Sequence, residues 1–268
     1  LQASGFPTST IPSVSLREGI VALWDSVSIY LFRDSLLAVY QSVSDQKLRR
    51  ARGIKPSQSL KAHIASPEVV IDNENRRLVM FFHGQRDSLS QVSGVAVSAD
   101  GLTFNALQNR IAGVYLRSFE FKGDYYFLAA PGVLYRSQSL LGDYTPRSKS
   151  LFSTEVRHAA VSLDKDRLTL VFSRAGDAPE RLLMSTVDLS DADWDNWTAT
   201  QAVEIMRAEE DWEGADLPPL ASLRGDTSLR SNDLRDPDLF VDADGQRYLL
   251  YVGGGEQAIG IVRLNKLP

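Results

Sequence analysis

A recurring hairpin constrains this 268-residue chain more than any other feature. An apolar run, a short polar turn and a second apolar run appear as Ser66-Pro67-Glu68-Val69-Val70-Ile71 followed by residues 78–82, and as Arg157-His158-Ala159-Ala160-Val161 followed by residues 168–172. They appear again as Arg235-Asp236-Pro237-Asp238-Leu239-Phe240-Val241 followed by residues 248–252, with a weaker copy over residues 117–121 and 125–129. The turns hold Asp72-Asn73-Glu74-Asn75, Gly123-Asp124, Asp164-Lys165-Asp166 and Asp242-Ala243-Asp244-Gly245, residue types that tolerate tight hairpin geometry. In three copies a third apolar run ends in serine, at Ser98, Ser137 and Ser185, and is followed by a polar turn and an aromatic residue, Phe104, Tyr144 and Trp194.

A hairpin with further outer strands in each repeat is the composition of a propeller blade. A first copy at residues 26–32 and 36–40 brings the count to five, and a longer gap over residues 188–233 reads as an insertion. The expected fold is therefore all-β, a five-bladed β-propeller forming a single domain over residues 1–268, with its first blade at about residues 15–60. Residues 16–52 also fit an amphipathic helix through Ile20, Leu23, Val27 and Leu31. The β-branched Val27, Ile29 and Val39, and the need to close a ring without open strand edges, favour strands.

Composition narrows the partners. Hydrophobic residues at 43% and charged residues at 24% suit a chain with a large core rather than a disordered one. A formal charge of -5, with the only basic run at Lys47, Arg49, Arg50 and Arg52, gives no positive stripe to track phosphates, so nucleic acid is excluded as the expected partner. No apolar stretch approaches the roughly 20 residues of a membrane helix, so no membrane association is expected. With no cysteine, disulfides, thiolate metal sites and cysteine nucleophiles are excluded, and no metal or cofactor is expected. The chain begins at Leu1 without a methionine and carries the sequon Asn196-Trp197-Thr198. These features fit a soluble protein, either cytoplasmic or secreted with its leader removed.

In a propeller the innermost strand of each blade starts at the rim to which the loop between the second and third strands returns. This rule gathers Asp25, Glu68, Arg157, His158, Arg235 and Asp236 at inner-strand entrances, with His83, Arg174, Asp177, Glu180, Arg181 and Glu256 in the adjoining loops. Arginine, histidine and carboxylate dominate here, whereas the hairpin turns at the opposite rim hold Asn, Asp and Gly. Convergent carboxylates and arginines shift one another's pKa and suit acid-base work on a polyhydroxylated substrate, yet Arg-carboxylate pairs equally often only satisfy loops. Trp194, Trp197 and Trp212 read as packing rather than sugar platforms.

Ser66-Pro67-Glu68-Val69 is similar to the Ala-Pro-Asp/Glu strand opening of family 43 glycoside hydrolases. With Arg235-Asp236-Pro237-Asp238-Leu239-Phe240, Tyr248-Leu249-Leu250-Tyr251 and residues 174–181, it makes residues 65–264 resemble the five-bladed propellers of the arabinanase, levansucrase and invertase superfamily, families 43, 32 and 117 among them. The resemblance implies a carbohydrate partner, an oligosaccharide or terminal glycoside, and three catalytic groups on successive blades. Asp25 and Glu68 match the first two places. At the third, where a glutamate is expected, the chain has Tyr115-Leu116-Arg117-Ser118, with Glu120 too far along the strand. Glu213, Glu180 and His158 are the candidates to replace it, His158 because the resemblance to family 117 implies a histidine acid. Catalytic candidates are thus Asp25, Glu68, Asp236, Glu213 and His158. The substrate-binding candidates are His83, Arg157, Arg174, Asp177, Glu180, Arg181, Arg235 and Glu256. The implied function is either glycoside hydrolysis by acid-base chemistry or carbohydrate binding without catalysis. A protein-interaction propeller is disfavoured by the charge of the entrances.

Overall fold

The computed structural model describes residues 64–85, 91–111, 113–152, 155–223 and 229–264. They form an all-β propeller with four sheets. The first sheet contains β1 (Ile64–Asp72), β2 (Arg77–Gln85), β3 (Gln91–Ser98) and β4 (Asn105–Ile111) in that order. The second contains β5 (Val114–Phe121), β6 (Asp124–Ala130), β7 (Val133–Ser137) and the short β8 (Thr145–Pro146). The third contains β9 (Val156–Asp164), β10 (Arg167–Arg174), β11 (Leu182–Asp188) and β12 (Val203–Met206), and the fourth β13 (Leu234–Val241), β14 (Arg247–Gly253) and β15 (Ala258–Leu264). All pairings within the sheets are antiparallel.

The four repeats read in the sequence from residue 66 onward are these four sheets. The first copy at residues 26–40, and with it the first blade, lies outside the described residues, so the described blades number four rather than five. Residues 188–233 are not wholly an insertion. They supply β12, the outer strand of the third blade, before two short 3-10 turns at Trp194–Asn196 and Asp211–Glu213 are counted.

The recurring serine has a local cause. Ser98 Oγ donates to Asp100 Oδ1 and accepts from Gly101 N, and Asp100 Oδ1 also accepts from the backbone N–H groups of Leu102 and Thr103. Those backbone donors lower the Asp100 carboxyl to about 2. Ser185 Oγ donates to Thr200 O, fastening β11 to the chain that leads to β12. Ser98 thus closes the turn that follows β3, and Ser185 anchors the longer connection to β12.

Packing is sheet face on sheet face. One apolar cluster joins the first sheet to the second through Val79, Phe81, Val95, Leu116, Phe127 and Tyr135. Another joins the second to the third through Phe119, Leu128, Leu168, Leu170, Phe172 and Trp197. The last joins the third to the fourth through Ala160, Val171, Leu182, Met184, Leu234 and Tyr251. Trp197, the middle residue of the sequon, is thus core and not a sugar platform. The innermost strands β1, β5, β9 and β13 contact one another in succession, which brings their entrances together. Phe127 is fully buried, edge-on to Phe81 at 4.6 Å and 4.8 Å from the Tyr144 ring. Phe127→Ala should therefore cost about 3–5 kcal/mol in urea unfolding. An unchanged midpoint would place the interblade core elsewhere.

Candidate functional site

Each innermost strand carries one β-bulge, at the same place in every described blade. Two residues oppose one on the partner strand between Ala65 and Glu68, between Val114 and Arg117, between Val156 and Ala159, and between Arg235 and Asp238. The extra pairs are Ser66-Pro67, Tyr115-Leu116, Arg157-His158 and Asp236-Pro237. A bulge breaks the ladder and re-aims a side chain. Ser66, Tyr115 and Asp236 take left-handed backbone at φ 49°, 57° and 46°, a conformation that costs a non-glycine residue about 1–3 kcal/mol and clusters at functional sites. Pro67 and Pro237 follow two of these positions, where the ladder asks for no donor.

Three of the bulges, with His83 beside the fourth, deliver a continuous chain of side chains, one from each described sheet. The His83 ring of β2 lies 4.3 Å from the Tyr115 ring of β5, and Tyr115 lies 4.3 Å, edge-on, from the His158 ring of β9. His158 Nδ1 is in direct contact with Asp236 Oδ1 of β13. His83 is only 1% exposed, so it backs Tyr115 instead of lining the opening as its place in the sequence suggested. Burial, followed by the charges of Arg157, Arg117 and Arg235 and by His83, holds the His158 imidazole well below the usual histidine range.

Behind this pair lies a buried ionic network. Glu180 has no exposed surface, and its carboxylate faces Arg157 Nε at 3.2 Å and Arg235 Nε at 3.4 Å while accepting from Ser173 Oγ at 2.7 Å. Arg235 Nη2 donates to Asp233 Oδ2 at 2.7 Å and Nη1 to Glu256 Oε1 at 3.0 Å. Burial opposes the charge on Arg235, but Glu180, Asp233 and Glu256 outweigh it and hold the guanidinium above its usual range. Arg157, with fewer carboxylates, is lowered by burial. The Glu180 carbonyl also accepts from Leu234 N at 3.0 Å, tying the third sheet to the fourth. Arg157 and Arg235 immediately precede His158 and Asp236, so one buried carboxylate fixes the backbone under both.

Glu68 occupies the neighbouring position between the first and second sheets. Its Oε1 accepts from Ser118 N at 2.7 Å and Ser118 Oγ at 2.6 Å, and Oε2 lies 3.7 Å from Arg117 Nη1. Burial pushes its carboxyl up, outweighing the Ser118 hydrogen bonds and the Arg117 charge.

The structure separates other candidates from this cluster. Glu213 is 2% exposed, and both its oxygens are taken, Oε1 by Tyr251 Oη and Oε2 by the backbone N–H groups of Glu209 and Glu210. It is a loop clamp, because a carboxylate with both oxygens engaged under the surface has none to offer a substrate. Arg181 follows Glu180 on the strand edge and points to the other face, pairing with Asp177 at 3.2 Å and with Glu204 of the outer strand β12 at 2.8 Å. Asp177 and Arg181 therefore belong to the outer side of the third blade. The Arg174 guanidinium lies over the Phe172 ring, 5.6 Å from its centroid. Asp25 lies outside the described residues. Among the described residues, no group of three or more His, Asp or Glu is placed to hold a metal, and no helix is long and apolar enough to cross a membrane.

Sequence reasoning missed Tyr115, Arg117, Ser118 and Asp233 as parts of the site. Tyr115 had a usable signal, since it stands in the weak copy of the repeat where Ser66 and Asp236 stand in the strong ones. Asp233 precedes its strand and had none.

Solved structures share this fold. A thermostable family-43 glycoside hydrolase aligns with a TM-score of 0.52 at 14% identity, over 76% of this chain and 72% of that one. An endo-1,4-β-xylanase from Bacteroides thetaiotaomicron gives 0.52 at 14% identity over 78% and 76%, and the α-L-arabinanase of Cellvibrio cellulosa gives 0.51 at 12% over 77% and 75%. At these identities the likeness is one of fold alone, the β-propeller. In sequence, an uncharacterized protein of Acanthamoeba polyphaga mimivirus is 33% identical over 224 residues, which cover 77% of this chain and 62% of that protein. The chain thus spans less than two thirds of this relative's length. No family model matches the chain.

Glu180→Ala would leave Arg157 and Arg235 buried without their shared carboxylate. It should destabilise the chain by about 3–5 kcal/mol in denaturant unfolding, the range for breaking a buried pair from one side. A loss under 1 kcal/mol would show that water reaches the network.

Proposed function

We propose that the chain is a five-bladed propeller that hydrolyses a glycoside at the entrance of its innermost strands. The observation that carries the reading is the His158–Asp236 contact, made by bulges on adjacent innermost strands, together with the partly buried Glu68 at the bulge of β1. The fold shared with a family-43 hydrolase, an arabinanase and a xylanase supports a carbohydrate as substrate. Glu68 is the proton donor to the leaving oxygen, because its carboxyl is raised by burial, and His158 with Asp236 handles the proton of the attacking water. Arg157, Arg235 and Glu256 shape the wall behind them. Asp25, at the matching entrance of the first blade, belongs to the same proposal.

A second reading, carbohydrate binding without turnover, is favoured by one observation. Glu180 and Glu213, two of the three candidates for the missing third acid, are both sequestered in structural contacts.

A panel of aryl glycosides and oligosaccharides separates the readings. Turnover that falls at least tenfold in Asp236→Asn, about 1.4 kcal/mol, with the thermal midpoint nearly unchanged, supports hydrolysis. Saturable sugar binding with no turnover supports the second reading, and a lowered midpoint with unchanged activity removes Asp236 from the site.

The fifth blade is part of this proposal, supplied by residues 15–60 within a single domain over residues 1–268. Hydrogen exchange on the full chain should then show slow amides at residues 26–32 and 36–40. Exchange there at unprotected rates would leave the propeller with four blades.

A further inference from the structure

We infer that His158 is a neutral imidazole whose Nδ1–H is held by the Asp236 carboxylate, leaving Nε2 as the proton acceptor of the site. This deepens the hydrolase reading and rests on it for the reaction, while the protonation state stands or falls independently.

His158 Nδ1 and Asp236 Oδ1 touch, and two lone pairs cannot face each other in that way, so a proton lies between them. Asp236 is an acceptor when ionised, which assigns the proton to Nδ1 and one tautomer to the ring. The groups facing His158 from the surrounding elements settle its charge. They are Asp236 and Arg235 from β13, Arg157 from β9, Arg117 and the Tyr115 ring from β5, and His83 from β2. Three of them are cations, and the side chain is only 14% exposed. The Asp236 carboxylate favours a second proton on the ring, but burial and the three guanidinium groups oppose it and outweigh it, so the ring stays neutral where an ordinary histidine begins to titrate.

Histidine at this place was a candidate acid on sequence grounds. The geometry reverses the role, because a neutral ring has no proton to give at Nε2 and a lone pair to receive one. In the proposed hydrolysis, Nε2 takes a proton from water as its oxygen bonds to the anomeric carbon. The glycosidic C–O bond breaks, and its electron pair leaves with the departing oxygen, which takes the Glu68 proton. The products are the free sugar and the alcohol, with an imidazolium facing the Asp236 carboxylate and an ionised Glu68, and transfer through solvent restores both.

The test is nitrogen-15 NMR of the full chain labelled at histidine. The sequence has three histidines, His63, His83 and His158, so His63→Gln and His83→Gln assign the spectrum. The expected spectrum at pH 7 shows His158 with a protonated Nδ1 and a bare Nε2, and this form persists below the ordinary histidine pKa of about 6.5. In Asp236→Ala the ring should shift to the Nε2–H form, a change that a merely structural Asp236 would not cause. An imidazolium at pH 7, an Nε2–H tautomer in the unmodified chain, or an Asp236→Ala spectrum identical to the parent each overturns the inference. Absence of turnover on every glycoside, with the Nδ1–H form present, sinks the hydrolase reading while upholding the protonation state.

Discussion

The arrangement of the described blades around the opening depends on the carboxylate of Glu180. An anion with no exposed surface costs several kcal/mol of lost hydration, and two guanidinium groups with a serine hydroxyl are what offset it. Because those guanidinium groups belong to Arg157 and Arg235, the same interaction joins the third blade to the fourth and holds the backbone one residue before His158 and before Asp236. Its carbonyl adds a backbone bond to Leu234 across the same seam. The pair at the opening is only as well placed as this network behind it, which is why a residue with the look of a substrate ligand is better understood as a foundation.

Repetition supplies the second constraint. Sheets stacked face to face bury apolar side chains from both neighbours, and the bulge near the start of each innermost strand turns one or two side chains out of the ladder. The ring geometry then converts four separate local distortions into one cluster. What differs between blades is the residue placed on the bulge: serine in the first described sheet, tyrosine in the second, arginine with histidine in the third, aspartate in the fourth. A common scaffold with a variable tip is how one fold supports many chemistries. It also explains why Tyr115, where family resemblance leads one to look for a glutamate, still belongs to the site. Its ring bridges His83 and His158.

Electrostatics divides the cluster into two unlike halves. Around Glu68 burial dominates and the carboxyl is pushed towards its neutral form, while around His158 burial and cations together also favour the neutral ring. In the proposed hydrolysis, a carboxyl pushed up by burial and an imidazole held down are suited to giving and taking a proton across a substrate.

The sequence by itself determined the strands, the turns and the repeat. Alternating apolar residues and tight-turn chemistry act over a few residues, so the hairpins built on Val69, Ala160 and Leu239 and the serines at 98, 137 and 185 could be read directly. It also determined which residues stand near the inner-strand entrances, because propeller connectivity fixes the rim on which each end lies. Only the tertiary structure decided which of those residues meet. Glu180 and Arg181 are adjacent in sequence, yet strand alternation sends one into the buried network and the other to Glu204 on the outer strand. Glu213 stands in a charged loop that looks exposed, but Tyr251 and two backbone amides close over it. The contact of His158 with Asp236 joins residues 78 positions apart through a bulge on each strand. No local pattern encodes it, because a bulge is set by how two strands register and a contact between blades by how two sheets pack.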